Sequence, residues 1–265
     1  MKTMLKSALL ATLTAASTQA AVVLSETFSY PNGALIGQGS LAWAGLGTPV
    51  STTNPLTVSA GTVPLLTTGQ DASRPLTTAV SFTGGASIYY SLDVTLSAAQ
   101  ATGDYFFAYT VTGTDTNYKS RLFAKSTTGG FVLGLAESNL VTTYGTGVLT
   151  FNTPYKLVMT YNSITGASND TLALYVSPTS AIEGSNVSYV TQTSTATTEA
   201  TGLGAVALRQ GTTANAPTLV VDNIIVATTF HEAAGLAAPV PEPSSAAALA
   251  GLVVLGAVAT RRRRA

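Results

Sequence analysis

The 265-residue sequence predicts an all-β fold, an antiparallel β-sandwich over residues 21–230, held between two terminal segments that carry no strand pattern. Three observations predict it. Apolar residues from Val22 onward recur with period two rather than 3.6, the spacing of a strand with one buried face. Glycine-, asparagine- and aspartate-rich strings separate these runs at short intervals, as turns between strands do. No long helical pattern interrupts them, and only residues 97–102 read as a brief helix.

Residues 1–20, MKTMLKSALLATLTAASTQA, have the parts of a secretory signal peptide. Lys2 and Lys6 make the positive end, 8–16 the apolar stretch, and Thr18-Gln19-Ala20 a small-x-small cleavage site, with cut expected after Ala20. Such a leader takes the chain to the Sec translocon. The clearest strand is 86–96, ASIYYSLDVTL: Ile88, Tyr90, Leu92, Val94 and Leu96 fall on one side, Tyr89, Ser91, Asp93 and Thr95 on the other. The same alternation marks 105–112, 119–125, 131–136, 155–162, 171–177, 203–209 and 218–227. Turn residues lie between them at Gly84-Gly85, Gly113-Thr114-Asp115, Gly129-Gly130 and Ala167-Ser168-Asn169-Asp170. The sequence contains no evident internal repeat, which disfavours a propeller or β-helix.

After Phe230 the alternation stops, and 231–239 reads as an Ala-rich linker. Val240-Pro241-Glu242-Pro243 follows, in which two prolines lack amide donors and disfavour helix before them, keeping the backbone extended and accessible. Residues 244–260 are uncharged and would reach about 25 Å as a helix, marginal for a hydrocarbon core of about 30 Å. Arg261, Arg262, Arg263 and Arg264 close the chain and would hold that end of a transmembrane helix on the cytoplasmic side of the inner membrane.

Composition narrows the partners. The net charge is zero, but Lys2, Lys6 and the four terminal arginines account for half of the basic residues. Between the two ends, Arg74, Lys119, Arg121, Lys125, Lys156 and Arg209 face eleven acidic residues, so the body carries −5. Scattered cations on an acidic body argue against nucleic acid, and no polyanion is expected to bind. Cysteine is absent, which excludes disulfides, thiolate metal sites and a thiol nucleophile.

Catalytic patterns are equally sparse. The one histidine, His231, follows the last predicted strand and reads as a solvated linker residue rather than a base or ligand. No two acids stand two apart, so the paired carboxylates of a glycosidase are not present on one strand, although acids from different strands can still meet in space. Asp222-Asn223 and Asn169-Asp170 offer the hard oxygen donors that calcium takes. Each supplies few ligands, and the plainer reading is a strand bend and a turn. No other cofactor is implied. Tyr89 and either Tyr105 or Phe106 are candidates to stack on sugar rings, set against ordinary packing within the sandwich. Trp43 reads as a core plug.

Two resemblances follow from these residues. Val240-Pro241-Glu242-Pro243, the apolar stretch and the arginine cluster, in that order at the carboxyl end, resemble the PEP-CTERM sorting signal of bacterial envelope proteins over about 26 residues. The resemblance implies export, a transient membrane anchor, and processing by exosortase, a membrane cysteine protease, near the Pro-Glu-Pro. It also implies surface display or release into an exopolysaccharide matrix. The second is looser and spans most of 22–230. Glu26-Thr27-Phe28-Ser29-Tyr30-Pro31-Asn32-Gly33, Trp43, 155–159, 172–178 and 221–226 resemble, in their order, the concanavalin A-like (laminin G-like) jelly-roll domains of PEP-CTERM proteins. It implies two facing sheets with the first and last strands adjacent. A structural or adhesive envelope protein is then the leading expectation, a carbohydrate-binding module the alternative, and a polysaccharide hydrolase or lyase a third.

Overall fold

The computed structural model describes residues 21–239 except 48, 83–84, 113–117, 139 and 198–199. Two seven-stranded antiparallel sheets face each other. Sheet I contains β1 (Val22–Glu26), β5 (Val63–Leu65), β7 (Ala86–Ala98), β12 (Pro154–Ser163), β13 (Thr171–Val176), β14 (Val190–Thr193) and β16 (Thr218–Ala227). Its order is β1-β16-β7-β12-β13-β14, with β5 also paired to β16. Sheet II contains β3 (Ala44–Leu46), β6 (Asp71–Ser81), β8 (Asp104–Thr110), β9 (Tyr118–Thr127), β10 (Gly130–Glu137), β11 (Thr143–Tyr144) and β15 (Gly202–Leu208). Its order is β11-β10-β9-β8-β15-β6-β3. A small ribbon pairs β2 (Gly33–Ala34) with β4 (Thr57–Val58), and a helix α1 (Phe230–Ala234) follows the last strand. The architecture is a jelly-roll-like sandwich, and its first and last strands are neighbours, Glu26 opposite Ile224.

The alternation in β7 is realised in the core. Ile88, Tyr90, Leu92, Val94 and Leu96 are at most 2% exposed. From sheet II, Phe107, Tyr109, Leu122, Phe131, Leu133 and Leu135 join them in one apolar cluster. Tyr90 lies with its ring 5.5 Å from Phe107 and 4.0 Å from Tyr109, and its hydroxyl is satisfied by Ser120. Each fully buried aliphatic or aromatic side chain contributes roughly 1.5–3 kcal/mol, which lets a chain without cross-links hold together.

A buried polar knot ties the amino-terminal segment to both sheets. Glu26, 2% exposed, forms an ion pair with Arg74 of β6. Its oxygens also accept from the Phe28 amide (2.7 Å), the Tyr30 hydroxyl (2.8 Å) and Trp43 Nε1 (2.8 Å). Trp43 is 1% exposed and stacks on Phe28 at 5.9 Å, so it is the core plug expected of it.

Two sequence expectations are corrected. Residues 97–102 are not helical: β7 runs on to Ala98 and then turns. Six residues cannot pay the cost of helix nucleation alone, and Ala98 keeps its pairing with Thr218 while the Gln100 carbonyl accepts from Ser126. The segment 231–239 does not begin as a free linker either. Phe230, Ala233 and Ala234 of α1 pack on the outer face of sheet I against Val158, Tyr175 and Ala227, and Ser91 Oγ donates to the Ala233 carbonyl. Gly235 at φ 69° ends the helix, its amide and that of Leu236 capping the last carbonyls.

Candidate functional site

The outer face of sheet II carries a cluster of aromatic and cationic side chains. Register explains how it is built. Ala44, Ser73, Ala207, Ala108, Arg121 and Ala136 lie side by side on six neighbouring strands. Arg121 therefore rises from a row of small residues. In the next row Tyr105, Phe123, Gly134 and Tyr144 are partners across β8, β9, β10 and β11. Gly134 is the seat of the Tyr144 ring: a Cβ there would lie 2.7 Å from the ring.

The rings and cations interlock. Arg121 Cζ sits 5.2 Å from the Tyr105 ring centroid and 5.1 Å from that of Phe123. Arg209 stands over the other side of the cluster, 4.1 Å from the Tyr105 ring, and Lys125 Nζ is 4.1 Å from the Tyr144 ring. Tyr118 packs edge-on to Tyr105 at 5.3 Å, and both rings lie against Ala108, Ala207 and Leu46. Arg209 is committed to acids. Its Nη1 is 2.8 Å from Asp104 and its Nε 3.9 Å from Asp71. Arg121 has no ion pair among the described residues, and its Nε lacks a hydrogen-bond partner there.

Burial sets the protonation of the cluster. It pushes Asp71 up to about 6, against the opposing pull of the Gln210 amide and Arg209, with Asp104 adding to the rise. It also pushes the Tyr105 and Tyr118 hydroxyls up, so both remain protonated at neutral pH and are suited to hydrogen bonding rather than proton abstraction.

Of the aromatic candidates from the sequence, only Tyr105 belongs here. Phe106 is fully buried in the inter-sheet core, because a bulge between Tyr105 and Phe107 breaks the alternation of β8 and turns Phe106 inward. Tyr89 is on the opposite outer face, half-buried under α1 with its ring 6.0 Å from Phe230. Burial, with the Glu183 carboxylate close by, pushes its hydroxyl up to about 12. His231 lies in α1, away from the cluster.

The calcium candidates are engaged otherwise. Asp222 and Asn223 form a bulge in β16, with Asn223 at φ 49°, and Asn223 Nδ2 donates to Asp93 (2.9 Å). Lys156 Nζ occupies the other Asp93 oxygen at 2.7 Å, filling the place a cation would take at this cleft of about 430 Å³. Asp170 is 4% exposed and accepts from Tyr161 (2.6 Å) and the Ile164 amide (2.8 Å), while Asn169 Nδ2 donates to the Thr165 carbonyl. Among the described residues no group of three or more His, Cys, Asp or Glu is placed to hold a metal. Ala20, Val240, Pro241, Glu242, Pro243 and the arginines 261–264 lie outside the described residues.

Comparison with known proteins bears on both parts of the chain. Residues 239–264 match the model of the PEP-CTERM protein-sorting motif. No curated protein matches the chain. Among solved structures, a double mutant of the alginate lyase Aly36B in complex with an alginate tetrasaccharide superposes with a TM-score of 0.50 at 14% identity, covering 78% of this chain and 96% of that one. The CBM2 module of the evolved Dit protein of Lactobacillus casei BL23 phage J-1 gives 0.47 at 12% identity, over 80% and 96% of the two chains. A SAP-like pentraxin from Limulus polyphemus gives 0.40 at 10%, over 67% and 76%. At such identities the likeness concerns the fold. The chain thus combines an all-antiparallel, jelly-roll-like β-sandwich with a PEP-CTERM sorting motif, the mark of an exported, surface-sorted protein processed by an exosortase.

Proposed function

We propose that this is an exported envelope protein whose sandwich, of concanavalin A-like type, is a non-catalytic carbohydrate-binding module acting through the outer face of sheet II. One observation carries the reading: Tyr105, Tyr118 and Tyr144 are partly exposed beside Arg121 and Lys125 on a face whose neighbouring positions are Ala, Ser and Gly. Aromatic faces are apolar and match the C–H faces of sugars, while guanidinium and hydroxyl groups hydrogen-bond their rims. The same fold holds an alginate oligosaccharide in the Aly36B complex. A purely structural role gives no reason to gather three of the body's six basic residues on one face. Display in an exopolysaccharide matrix, after Sec export and a transient stay in the inner membrane through residues 244–260, remains part of the proposal.

A glycan array probed with the full chain in detergent tests it. Binding should appear for the wild type and fall by at least about tenfold in Tyr105→Ala or Tyr118→Ala, the scale of a lost stacking contact in a binding site. An array with no signal would remove the reading. Catalysis is checked separately by following matrix polysaccharide for new reducing or unsaturated ends, and none are expected.

A further inference from the structure

We infer that the glycan taken by this face is acidic, and that Arg121 is the residue that meets its carboxylate. The inference rests on the carbohydrate-binding reading above and adds the class of sugar. It also runs against the plain composition: the body carries −5, yet its charge is unevenly placed. Arg74 is neutralised by Glu26 and Lys156 by Asp93, and Arg209 is held by Asp104 and Asp71. Lys119, Arg121 and Lys125 differ, for none has a carboxylate within ion-pair distance among the described residues; Lys119 is buried at 8% exposure, which leaves Arg121 and Lys125 as the accessible two.

Geometry makes Arg121 the more specific of the two. Its guanidinium carbon lies over both the Tyr105 and Phe123 rings, so little side-chain freedom is left to lose when a ligand binds. Its neighbours in the row are Ala108 and Ala136, which leave the space above it open to a sugar. A planar guanidinium meets a carboxylate through two parallel hydrogen bonds, a match that a neutral sugar hydroxyl does not offer. Lys125 lies four residues along the same face of β9, about 13 Å away at roughly 3.3 Å per residue. Two cations so spaced, with Tyr144 beside the second, suit two separated charges along an oligosaccharide rather than a single acidic ring. A nucleic acid is disfavoured because Asp71 and Asp104 border the same face and would repel a continuous phosphate backbone.

The test compares one polymer with and without its charge. A polyuronate oligosaccharide and the same backbone with its carboxyl groups reduced to alcohols are titrated into the full chain in detergent, alongside oligo-dT, for wild type, Arg121→Gln and Arg121→Lys. Thermal melting of each variant confirms folding. The inference expects the polyuronate to bind, its reduced form to bind about ten- to a hundredfold more weakly, and Arg121→Gln to lose a similar factor, the scale of a charge-assisted hydrogen-bond pair. Arg121→Lys, which keeps the charge and removes the fork, should fall between. Equal binding of charged and reduced forms with no effect of Arg121→Gln or Arg121→Lys would overturn the acidic class and leave carbohydrate binding standing. Tighter binding of oligo-dT than of polyuronate would overturn it in favour of a nucleic acid. Absence of binding to either sugar form, together with an empty glycan array, would overturn the carbohydrate reading itself.

Discussion

Two carboxylates show how position decides what a charge does. Glu26 has every oxygen engaged and no access to water, so its worth is structural. Removing it leaves Arg74 buried without a counter-ion, with the Tyr30 hydroxyl as its remaining hydrogen-bond partner, and Glu26→Ala is expected to cost about 3–5 kcal/mol, read as a lower urea midpoint. Asp71 is the opposite case. It lies beside Arg209, Asp104, Tyr118 and the Gln210 amide, and burial raises it to about 6. Below that pH it is neutral and the face is more positive; as pH rises through 6 it gains a negative charge that repels an acidic ligand. Polyuronate affinity should therefore fall about three- to tenfold between pH 5 and pH 7.5, the effect of one nearby charge in a partly screened site. Asp71→Asn should flatten that profile in the same titration.

At the level of the element, β9 holds most of the site and was the most readable part of it. Its outward positions spell Arg121, Phe123 and Lys125, two cations and an aromatic at period two, a signal present in the sequence but outweighed by the overall charge balance. The bulge in β8 was not readable, since Tyr105-Phe106-Phe107 alternates equally well in either register and only pairing with β9 settles which ring faces out. Strand β6 was missed for a related reason. Pro75 in its middle argues against a strand, and it is accommodated where the pairing to β15 slips between Leu203 and Ala205. Helix α1 is too short to leave a helical period, and its docking depends on Tyr89 and Tyr175, distant in sequence. Phe230→Ala should release it, destabilising the fold by about 3 kcal/mol and exposing 228–236 to limited proteolysis. A subtler change, Gly211→Ala, would put a Cβ 2.3 Å from the Asp104 carboxylate. It should loosen the Arg209 pair and weaken sugar binding while the melting temperature changes little.

Over the whole molecule, the sequence made the general form and destination legible, and hid the site. Alternation and turns sufficed for an antiparallel sandwich because each strand's buried face is a local property, and the sorting motif is contiguous in the chain. The candidate site is neither local nor contiguous: Asp71, Tyr105, Tyr118, Arg121 and Arg209 come from three strands and the residue following a fourth's end, joined only by register. Intact-mass measurement of the extracellular protein should give a carboxyl end near Pro241, as exosortase processing requires; a mass that retains Ala265 would contradict it.

The seating of α1 also fixes an orientation. It returns the chain to the back of sheet I, and the short stretch from Leu236 to Pro239 sets off from there, with the whole thickness of the sandwich between that point of departure and Arg121. Were the tail to moor the protein to a lipid surface as proposed, the Arg121 guanidinium would look outward, and capture of a polymer from the surroundings would not have to wait for the scissors that free it.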